Sequence, residues 1–372
     1  MVCKILSLTP DGFEGSLLWR TWFPSWAMTR HGYTADFVAF KHDNYNSEIL
    51  PKLTSGEYNV VITPRFIFRE GWMLRAFERT IRSNNLIWLY DLDDDTLTDA
   101  IKTRNVEYWM QQDLKDVAVP KEQQALYFQV GTEYEQYMRQ QLLERVDGVI
   151  VSRKPLQYIV EQYTEAPIRV IENAIDPRWF LDRMRGGTIK PFTIGWSGGW
   201  RQDQDLNTVA SAWADIAARY PAVHFVINGF VSPSLLVSIP SDRLHVLPWV
   251  KINDYPTQLQ NIDIGCCTVA NTDWNKCKSP IKWFEMSIAG SPCVVSDPLY
   301  GEYVTNGIDG YVSSSAQDYV VGLSRLIEDR SLREEMASTA QQTILMHHNI
   351  EDAWEDWTAT IEELSGIAYG YQ

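Results

Sequence analysis

Runs of strand-like sequence alternate with helix-like runs along nearly the whole of this 372-residue chain. Apolar strands joined by helices are typical of parallel sheets that are covered on both faces. We therefore predict an α/β chain with two doubly wound, Rossmann-like domains. The predicted strands are 2–8, 34–40, 58–62, 86–90, 148–151 and 168–171 in the first half, and 192–196, 223–228, 244–246, 262–266 and 292–296 in the second.

A polar segment at 182–191 separates the two series of strands. It contains two glycines and a proline and has no apolar period, so it predicts a domain boundary. The length of the chain also fits two domains. The end of the chain differs, because three helical patterns follow one another from 317 to 364 without a strand between them. On the last of them Trp354, Trp357 and Ile361 form an apolar face that another part of the protein must cover.

The composition argues against several classes of protein. A net charge of −15 disfavours a broad surface for nucleic acid or anionic membranes. No window holds the roughly 18 apolar residues that span a bilayer, and the first residues read as a strand rather than a signal peptide. The five cysteines lack zinc spacing and are expected to be reduced thiols. We expect a cytoplasmic protein whose 15 tryptophans mainly pack the core, although indole faces also suit sugar rings.

A glycine-containing turn follows the first predicted strand of the second half. Residues 194–201 read Ile-Gly-Trp-Ser-Gly-Gly-Trp-Arg. Gly198 and Gly199 would let a diphosphate approach backbone N–H groups, and Arg201 would supply a charged partner. A tight strand-to-helix turn needs glycine as well, so this feature alone leaves both interpretations open.

Three lysines gather at a predicted helix start in this acidic chain, namely Lys276, Lys278 and Lys282. Lysines at a helix N-terminus repel the helix dipole, so their position makes sense if an anion lies between them. Ser279 is expected to be the N-cap residue, with a proline in the first turn. Glu285, one turn beyond Lys282, could accept two hydrogen bonds from a ribose diol. The alternative is a solvated helix with a local Lys–Glu pair.

Four carboxylates follow a predicted strand of the first half, namely Asp91, Asp93, Asp94 and Asp95. Ligands of open α/β sheets bind at the carboxyl ends of the strands. These side chains could orient or deprotonate a hydroxyl group, or hold a divalent metal ion. Helix N-capping in a solvated acidic loop is the other interpretation.

The lysine-rich segment resembles a known family. Residues 278–296 resemble the K-S-P-x-K-x-x-E-x-x-x-x-G-x-P-V-V-x-S signature of retaining glycosyltransferases of family 4, which have the GT-B fold. Residues 173–180 resemble the family's stretch at the interdomain crossing, 194–199 its donor-side glycine loop, and 302–312 the stretch that follows the signature. Residues 30–36 are similar to a stretch of its N-terminal domain.

The resemblance implies two Rossmann-like domains that face a central cleft. The acceptor-side domain would comprise residues 1–182 and be completed by a C-terminal helix at 350–372, and residues 183–349 would bind the donor. The implied activity is a hexosyltransferase-type transfer of sugar from a UDP- or GDP-sugar to an acceptor hydroxyl, with retention of configuration. Members of the family generally work without a bound metal, so no metal site and no tightly bound cofactor are expected.

The resemblance and the residue chemistry together give the candidate site residues. Positive charge near the diphosphate would stabilise the leaving group as the glycosidic bond breaks. The candidate catalytic residues are Arg201, Lys278, Lys282, Asp93, Asp94 and Asp95. The candidate donor-binding residues are Gly198, Gly199, Trp249, Val250, Lys278, Ser279, Lys282 and Glu285. The candidate acceptor-side residues are Gly12, Gly15 and Asp95.

The chain departs from the family pattern in two features of the donor site. Cys277 stands where the family has the first glutamate of a pair, and Asp203 and Asp205 follow the glycine loop where a lysine is usual. A nucleotide-sugar or glycan-binding protein without turnover is therefore one alternative. A phage-type DNA-modifying glycosyltransferase is another, although the acidic charge and the lack of a basic stripe count against a nucleic-acid partner. The acceptor could be a glycan, a lipid-linked molecule or another hydroxyl compound.

Overall fold

The computed structural model describes residues 3–10, 15–41, 43–64, 68, 71–98, 124–198, 203–229 and 237–366. Within these residues the chain forms two parallel six-stranded sheets, each accompanied by helices. The predicted α/β architecture with two Rossmann-like sheets is confirmed.

The first sheet is built from the first half of the chain. Its strands are β1 (Lys4–Pro10), β2 (Thr34–Phe40), β3 (Val60–Pro64), β4 (Ile87–Leu92), β5 (Gly148–Val151) and β6 (Ile168–Val170). They lie in the order β2-β1-β3-β4-β5-β6, and Ile5 on β1 pairs with Ala35 on one side and Val60 on the other. Every residue of β3 and β5 is buried, which explains why these strands are apolar at successive positions.

The first helical segment of the chain differs from its prediction. A single helix is expected at 16–30, but a π-helical turn, Leu18–Trp22, interrupts it. Pro24 has no N–H to donate to the carbonyl of Arg20. The N–H of Phe23 donates to Leu18 O, five residues earlier, as in a π-helix. The helices are α1 (Gly15–Leu17), α2 (Phe23–Arg30), α3 (Leu50–Thr54), α4 (Gly71–Ser83), α5 (Gln124–Leu143), α6 (Lys154–Val160) and α7 (Pro177–Leu181).

The second sheet is built from the second half of the chain. Its strands are β7 (Thr193–Gly198), β8 (His224–Gly229), β9 (Leu244–Leu247), β10 (Ile264–Cys267), β11 (Cys293–Ser296) and β12 (Tyr311–Ser313). They lie in the order β12-β11-β10-β7-β8-β9, and all pairings are parallel. The sequence did not predict β12, because this edge strand has only three residues and only Ser313 among them is buried.

Helices of the second half pack on this sheet and then follow one another to the end of the described chain. The last three begin at side-chain caps, with Ser315, Asp329 and Asn349 each accepting a hydrogen bond from a backbone N–H. The helices are α8 (Asp203–Arg219), α9 (Tyr255–Leu259), α10 (Asp273–Lys276), α11 (Ile281–Ile288), α12 (Asp297–Tyr300), α13 (Ala316–Glu328), α14 (Arg330–His347) and α15 (Ile350–Ser365).

The last helix, α15, packs against α2 of the first half. Its Trp357 and Ile361 are buried, and the guanidinium of Arg20 lies 4.8 Å from the centroid of the Trp357 ring. The chain enters this helix beside the segment that leaves the first sheet, because Ile175 N–H bonds to His348 O and Ile350 N–H bonds to Ile175 O. The apolar face predicted from the sequence is therefore covered by the first half of the chain.

Aromatic and thiol side chains fill the interior. Among the largest fully buried side chains are the tryptophans Trp88, Trp179, Trp196, Trp213, Trp283 and Trp357, so these indoles pack the core as expected. All five cysteines are buried free thiols. One apolar cluster joins the two halves, and in it the rings of Trp19 and Phe284 lie 6.3 Å apart.

Candidate active site

Two charged residues of α11, Lys282 and Glu285, lie together near the carboxyl end of the second sheet. Lys282 Nζ is 4.6 Å from the centroid of the Trp196 ring on β7. Glu285 is 8% exposed, and its Oε2 accepts a 2.7 Å hydrogen bond from the hydroxyl of Tyr255. The same Tyr255 hydroxyl is 2.9 Å from Ser197 Oγ at the end of β7. The fold thus brings β7, α9 and α11 together around a lysine and a carboxylate.

Burial shifts the ionisation of both charged groups toward neutral pH. It raises the pKa of Glu285 to about 7, while the Tyr255 hydrogen bond and the charge of Lys282 act to lower it. Burial also lowers the pKa of Lys282 to about 8, with Asp205 opposing this shift and Lys278 adding to it. Such shifts of the pKa of a buried lysine and a buried glutamate are common in ligand-binding sites.

A buried carboxylate, Asp205, faces the lysines. Its Oδ1 accepts hydrogen bonds from the backbone N–H of Ala270 and the side-chain amide of Asn275, each at 2.8 Å. Its Oδ2 lies 4.0 Å from Lys278 Nζ. In the sequence Asp205 is notable only because the family usually has a lysine after the glycine loop. Nothing local connects Asp205 to the lysine segment, which lies some 70 residues later. In the structure it anchors that segment.

For two residues of the lysine segment, Lys276 and Ser279, the structure differs from the prediction. Lys276 pairs with Asp273 at 2.8 Å on a half-exposed surface and does not join Lys278 and Lys282. Ser279 is not the N-cap residue, because the helix begins one residue later and Pro280 takes the cap position without a side-chain bond. The Ser279 hydroxyl is instead buried, and among the described residues it has no hydrogen-bond partner. Such a hydroxyl is costly unless water or a ligand satisfies it.

The glycine loop is described only at its start. Gly198 ends β7 and pairs with Gly229 at the end of β8. A Cβ on Gly229 would lie 2.0 Å from Gly198 O, and the φ of Gly229 is +114°, so this position requires glycine. This requirement was not predicted from the sequence, although Gly229 ends a strongly apolar strand. Gly199 and Arg201 lie outside the described residues.

Trp249 and Val250 follow β9, at the same edge of the second sheet. The Trp249 ring is 72% exposed, and Val250 is half-buried. A large exposed indole beside a strand end offers a face on which a planar ring can stack.

The acidic segment after β4 separates into different environments. Asp95 is 1% exposed and accepts hydrogen bonds from the backbone N–H groups of Leu97 and Thr98 and from the Thr98 hydroxyl. Asp93 is buried, with its carbonyl accepting from Ser152 Oγ at 3.2 Å, and Asp94 is half-buried. The capping bonds of Asp95 fix the shape of this segment.

Asp91 belongs to the core rather than to the segment that follows it. Its carboxylate is 2.5 Å from Arg20 Nη2, and both side chains are almost fully buried. Arg20 Nη1 also donates to Ile171 O at 2.6 Å and to Asn173 Oδ1 at 3.0 Å. The pair therefore ties β4 and the π-helical turn to the strand that leads out of the first sheet.

The acidic segment lies close to the lysine segment of the second half. Cys277 packs in the apolar cluster of the first half, and burial together with the nearby Asp95 and Asp94 carboxylates raises the pKa of its thiol to about 12. Arg153, which follows β5, donates to Lys278 O at 3.1 Å and to Glu302 Oε2 at 2.8 Å. The carboxyl ends of the strands of the two sheets therefore lie next to each other. Arg153 has no local signal in the sequence that would have identified it.

The remaining acceptor-side candidates are less informative. Gly15 is exposed at the start of α1, directly after the stretch that contains Gly12, which lies outside the described residues. Within the described parts of the chain, no group of three or more histidine, cysteine, aspartate and glutamate side chains is arranged to bind one metal ion. No helix in those parts is both long and apolar enough to span a membrane.

Comparison with known proteins locates a family match in the second half of the chain. Residues 178–359 match the family described as glycosyl transferase-like. This match covers α7 from its second residue onward, the whole second sheet and the lysine segment. No curated protein matches the chain by sequence.

Solved structures match nearly the whole chain at low sequence identity. HepE from Anabaena in complex with UDP has a TM-score of 0.60 and 14% identity, covering 97% of this chain and 100% of HepE. Sucrose-phosphate synthase from Thermosynechococcus elongatus has a TM-score of 0.61 and 12% identity, covering 98% and 100%. A glycosyltransferase from Rickettsia africae has a TM-score of 0.62 and 10% identity, covering 99% and 100%. The chain therefore has the GT-B fold of glycosyltransferases, and its C-terminal half matches a glycosyl transferase-like family.

Proposed function

We propose that this protein is a glycosyltransferase that moves a hexosyl group from a nucleotide sugar to an acceptor hydroxyl, with retention of anomeric configuration. One observation carries the proposal: Lys278, Lys282 and Glu285 converge at the carboxyl end of the second sheet, opposite the carboxyl end of the first. In an acidic chain these lysines would form a local site for an anion. The match of residues 178–359 to a glycosyl transferase-like family supports the assignment.

The lysines suit a diphosphate leaving group. As the bond between the sugar and the diphosphate breaks, negative charge develops on the leaving oxygen, and preorganised cations stabilise it. Lys278 and Lys282 would supply this charge, with Arg201 and the N–H groups near Gly198 and Gly199 as further contacts. A bound diphosphate would raise the pKa of Lys282 from about 8 and hold it protonated. The buried Ser279 hydroxyl would gain the partner that it lacks among the described residues.

Glu285 would bind the ribose of the donor. Its Oε2 already accepts from Tyr255, so Oε1 is the oxygen that would take a hydrogen bond from a ribose hydroxyl. The exposed ring of Trp249, together with Val250, would meet the base at the neighbouring strand end. HepE has been solved with UDP and with UDP-glucose, which favours a UDP-sugar over a GDP-sugar as the first donor to test.

The acceptor would enter from the first half of the chain. Asp93 and the half-buried Asp94 lie at the end of β4, beside the lysine segment, and would orient the acceptor hydroxyl. Asp95 would contribute by holding their segment in shape through its capping bonds. Gly12 and Gly15 would line the same side after β1. We propose a glycan, a lipid-linked molecule or another hydroxyl compound as acceptor, and a cytoplasmic location.

The proposed division into domains follows the two sheets. Residues 1–182 and the last helix would form the acceptor-side domain, and 183–349 the donor domain. The packing of α15 on α2 supports assigning the last helix to the first domain. Closure of the two domains over the donor would exclude water and limit hydrolysis.

A binding protein without turnover is the second candidate, and one observation favours it. Cys277 holds a neutral, buried thiol at the position where the family has a glutamate that contacts the sugar. The two functions differ in one measurement, the release of nucleoside diphosphate from a nucleotide sugar. Release at a rate above the uncatalysed background, with or without an added acceptor, supports the transferase. Binding without any release supports the second candidate.

A further inference from the structure

We propose that Tyr255 is a positioning residue that fixes the Glu285 carboxylate for the ribose of a nucleotide ligand. The inference rests on the proposed function and adds a residue that the sequence pattern did not single out. Tyr255 begins α9, and its hydroxyl lies 2.7 Å from Glu285 Oε2 and 2.9 Å from Ser197 Oγ. One hydroxyl thus joins three elements of the second domain.

The direction of the hydrogen bonds follows from the number of protons. A tyrosine hydroxyl has one proton, and an ionised carboxylate can only accept. Tyr255 therefore donates to Glu285, and the Ser197 hydroxyl must donate to Tyr255. Burial raises the pKa of Tyr255 well above its ordinary value, with the charge of Glu285 adding to this effect. Tyr255 stays a neutral donor over the whole working range of pH.

This arrangement fixes the rotamer of Glu285. A glutamate side chain has several rotatable bonds. If nothing held its carboxylate beforehand, the conformational entropy of these bonds would be lost when the ligand binds and would weaken binding. The bond to Oε2 holds the carboxylate in one orientation beforehand and leaves Oε1 to accept from a hydroxyl of the ligand. Because Ser197 directly precedes Gly198, these hydrogen bonds connect the Glu285 carboxylate to the loop that is expected to bind the diphosphate.

The hydrogen bond has a second effect that can be measured. It stabilises the ionised form of Glu285, which accepts the ligand hydroxyl, against the burial that favours the protonated form. Tyr255→Phe removes the hydroxyl but keeps the ring. The pKa of Glu285 should then rise above about 7, and a larger fraction of the protein should carry a protonated Glu285 at pH 7.

The test is calorimetric binding of UDP and of GDP to the wild type and to Tyr255→Phe at pH 7, 8 and 9. We expect the variant to bind the preferred nucleotide about tenfold more weakly at pH 7, with the ratio of the two dissociation constants falling severalfold by pH 9. Lys282 and the phosphates titrate in both proteins, so the ratio removes their contributions. A ratio that is constant with pH indicates lost packing only and overturns the inference, as does a ratio of one at pH 7.

Two further variants complete the experiment. Tyr220→Phe is the matched control, because Tyr220 also donates to a glutamate, Glu328, in the same half of the chain but away from these residues. It should bind as the wild type does at every pH. If Tyr255→Phe does not fold, Ser197→Ala replaces it and should give a smaller change with the same dependence on pH; no change overturns the inference. Wild-type protein that binds neither nucleotide contradicts the proposed function itself, which separates that failure from a failure of Tyr255.

Discussion

Arg153 donates a 3.1 Å hydrogen bond to the carbonyl oxygen of Lys278. Arg153 follows a strand of the first sheet, whereas Lys278 precedes α11 in the second half, so the bond joins the two halves of the chain. The Arg153 side chain is 3% exposed, and it also pairs with Glu302 at 2.8 Å. Its guanidinium lies 5.0 Å from the centroid of the Tyr303 ring. The main chain that carries a proposed phosphate contact is thus held by the opposite half of the protein.

Lys278→Ala and Lys282→Ala are each expected to lose most transferase activity. A charged hydrogen bond to a phosphate contributes about 1.5–3 kcal/mol, so kcat/KM at subsaturating donor should fall about 10- to 100-fold. Lys276→Ala is the matched control, because Lys276 belongs to the same segment but pairs with Asp273 on a half-exposed surface. Full activity in both single variants would remove lysines 278 and 282 from the phosphate site.

Glu285→Gln is expected to weaken donor binding and to stabilise the fold. A neutral amide accepts the ribose hydroxyl less strongly, so the donor KM should rise while kcat changes less. The pKa of Glu285 in the folded protein, about 7, lies above its ordinary value of 4.5. The fold therefore favours the protonated form, and this stabilisation is lost as pH rises through about 7.

Glutamine remains neutral at every pH. The free energy of unfolding of Glu285→Gln should therefore exceed that of the wild type at pH 8 by roughly 1–3 kcal/mol, and the two should converge near pH 4.5. Urea unfolding at several pH values measures this difference. A variant that is less stable than the wild type at pH 8 would show that the ionised Glu285 carboxylate does not destabilise the folded protein.

Truncation after His348 should destabilise the first sheet and its helices. It removes Trp357 and Ile361, which cover α2, and each buried apolar side chain of this size contributes roughly 1.5–3 kcal/mol. Hydrogen exchange should then increase in residues before 190, including α2. Truncation after Gly366 keeps the whole helix and is the control. Loss of protection confined to residues beyond 190 would argue against assigning the last helix to the first domain.

Activity is expected to survive EDTA. Lys278 and Lys282 would neutralise the charge of the diphosphate, which a divalent metal ion does in other enzymes that act on phosphates. Initial rates measured in EDTA should stay close to those in buffer, and added Mg²⁺ or Mn²⁺ should change them little. Abolition by EDTA with recovery in Mn²⁺ would instead assign a metal to the carboxylates at 93–95.

The sequence predicted those parts of the fold that depend on local pattern. The apolar strands, the last three helices and the lysine segment each have a signal within about twenty residues. Tyr255, Asp205 and Arg153 have none, because each acts on a residue distant along the chain: Glu285, Lys278 and the Lys278 carbonyl. The N-cap prediction for Ser279 was wrong for a local reason, since the helix starts one residue later than the Ser-Pro pair indicates.

The proposed transferase activity can be tested with a panel of donors, by measuring thermal stabilisation of the protein and release of nucleoside diphosphate. We expect one nucleotide sugar, with UDP-sugars tested first, to raise the melting temperature of the wild type and to be turned over to the nucleoside diphosphate. The Lys282→Ala variant should show a smaller shift with the same compound. A complete panel of UDP- and GDP-sugars that neither stabilises the wild type nor releases diphosphate would contradict the account.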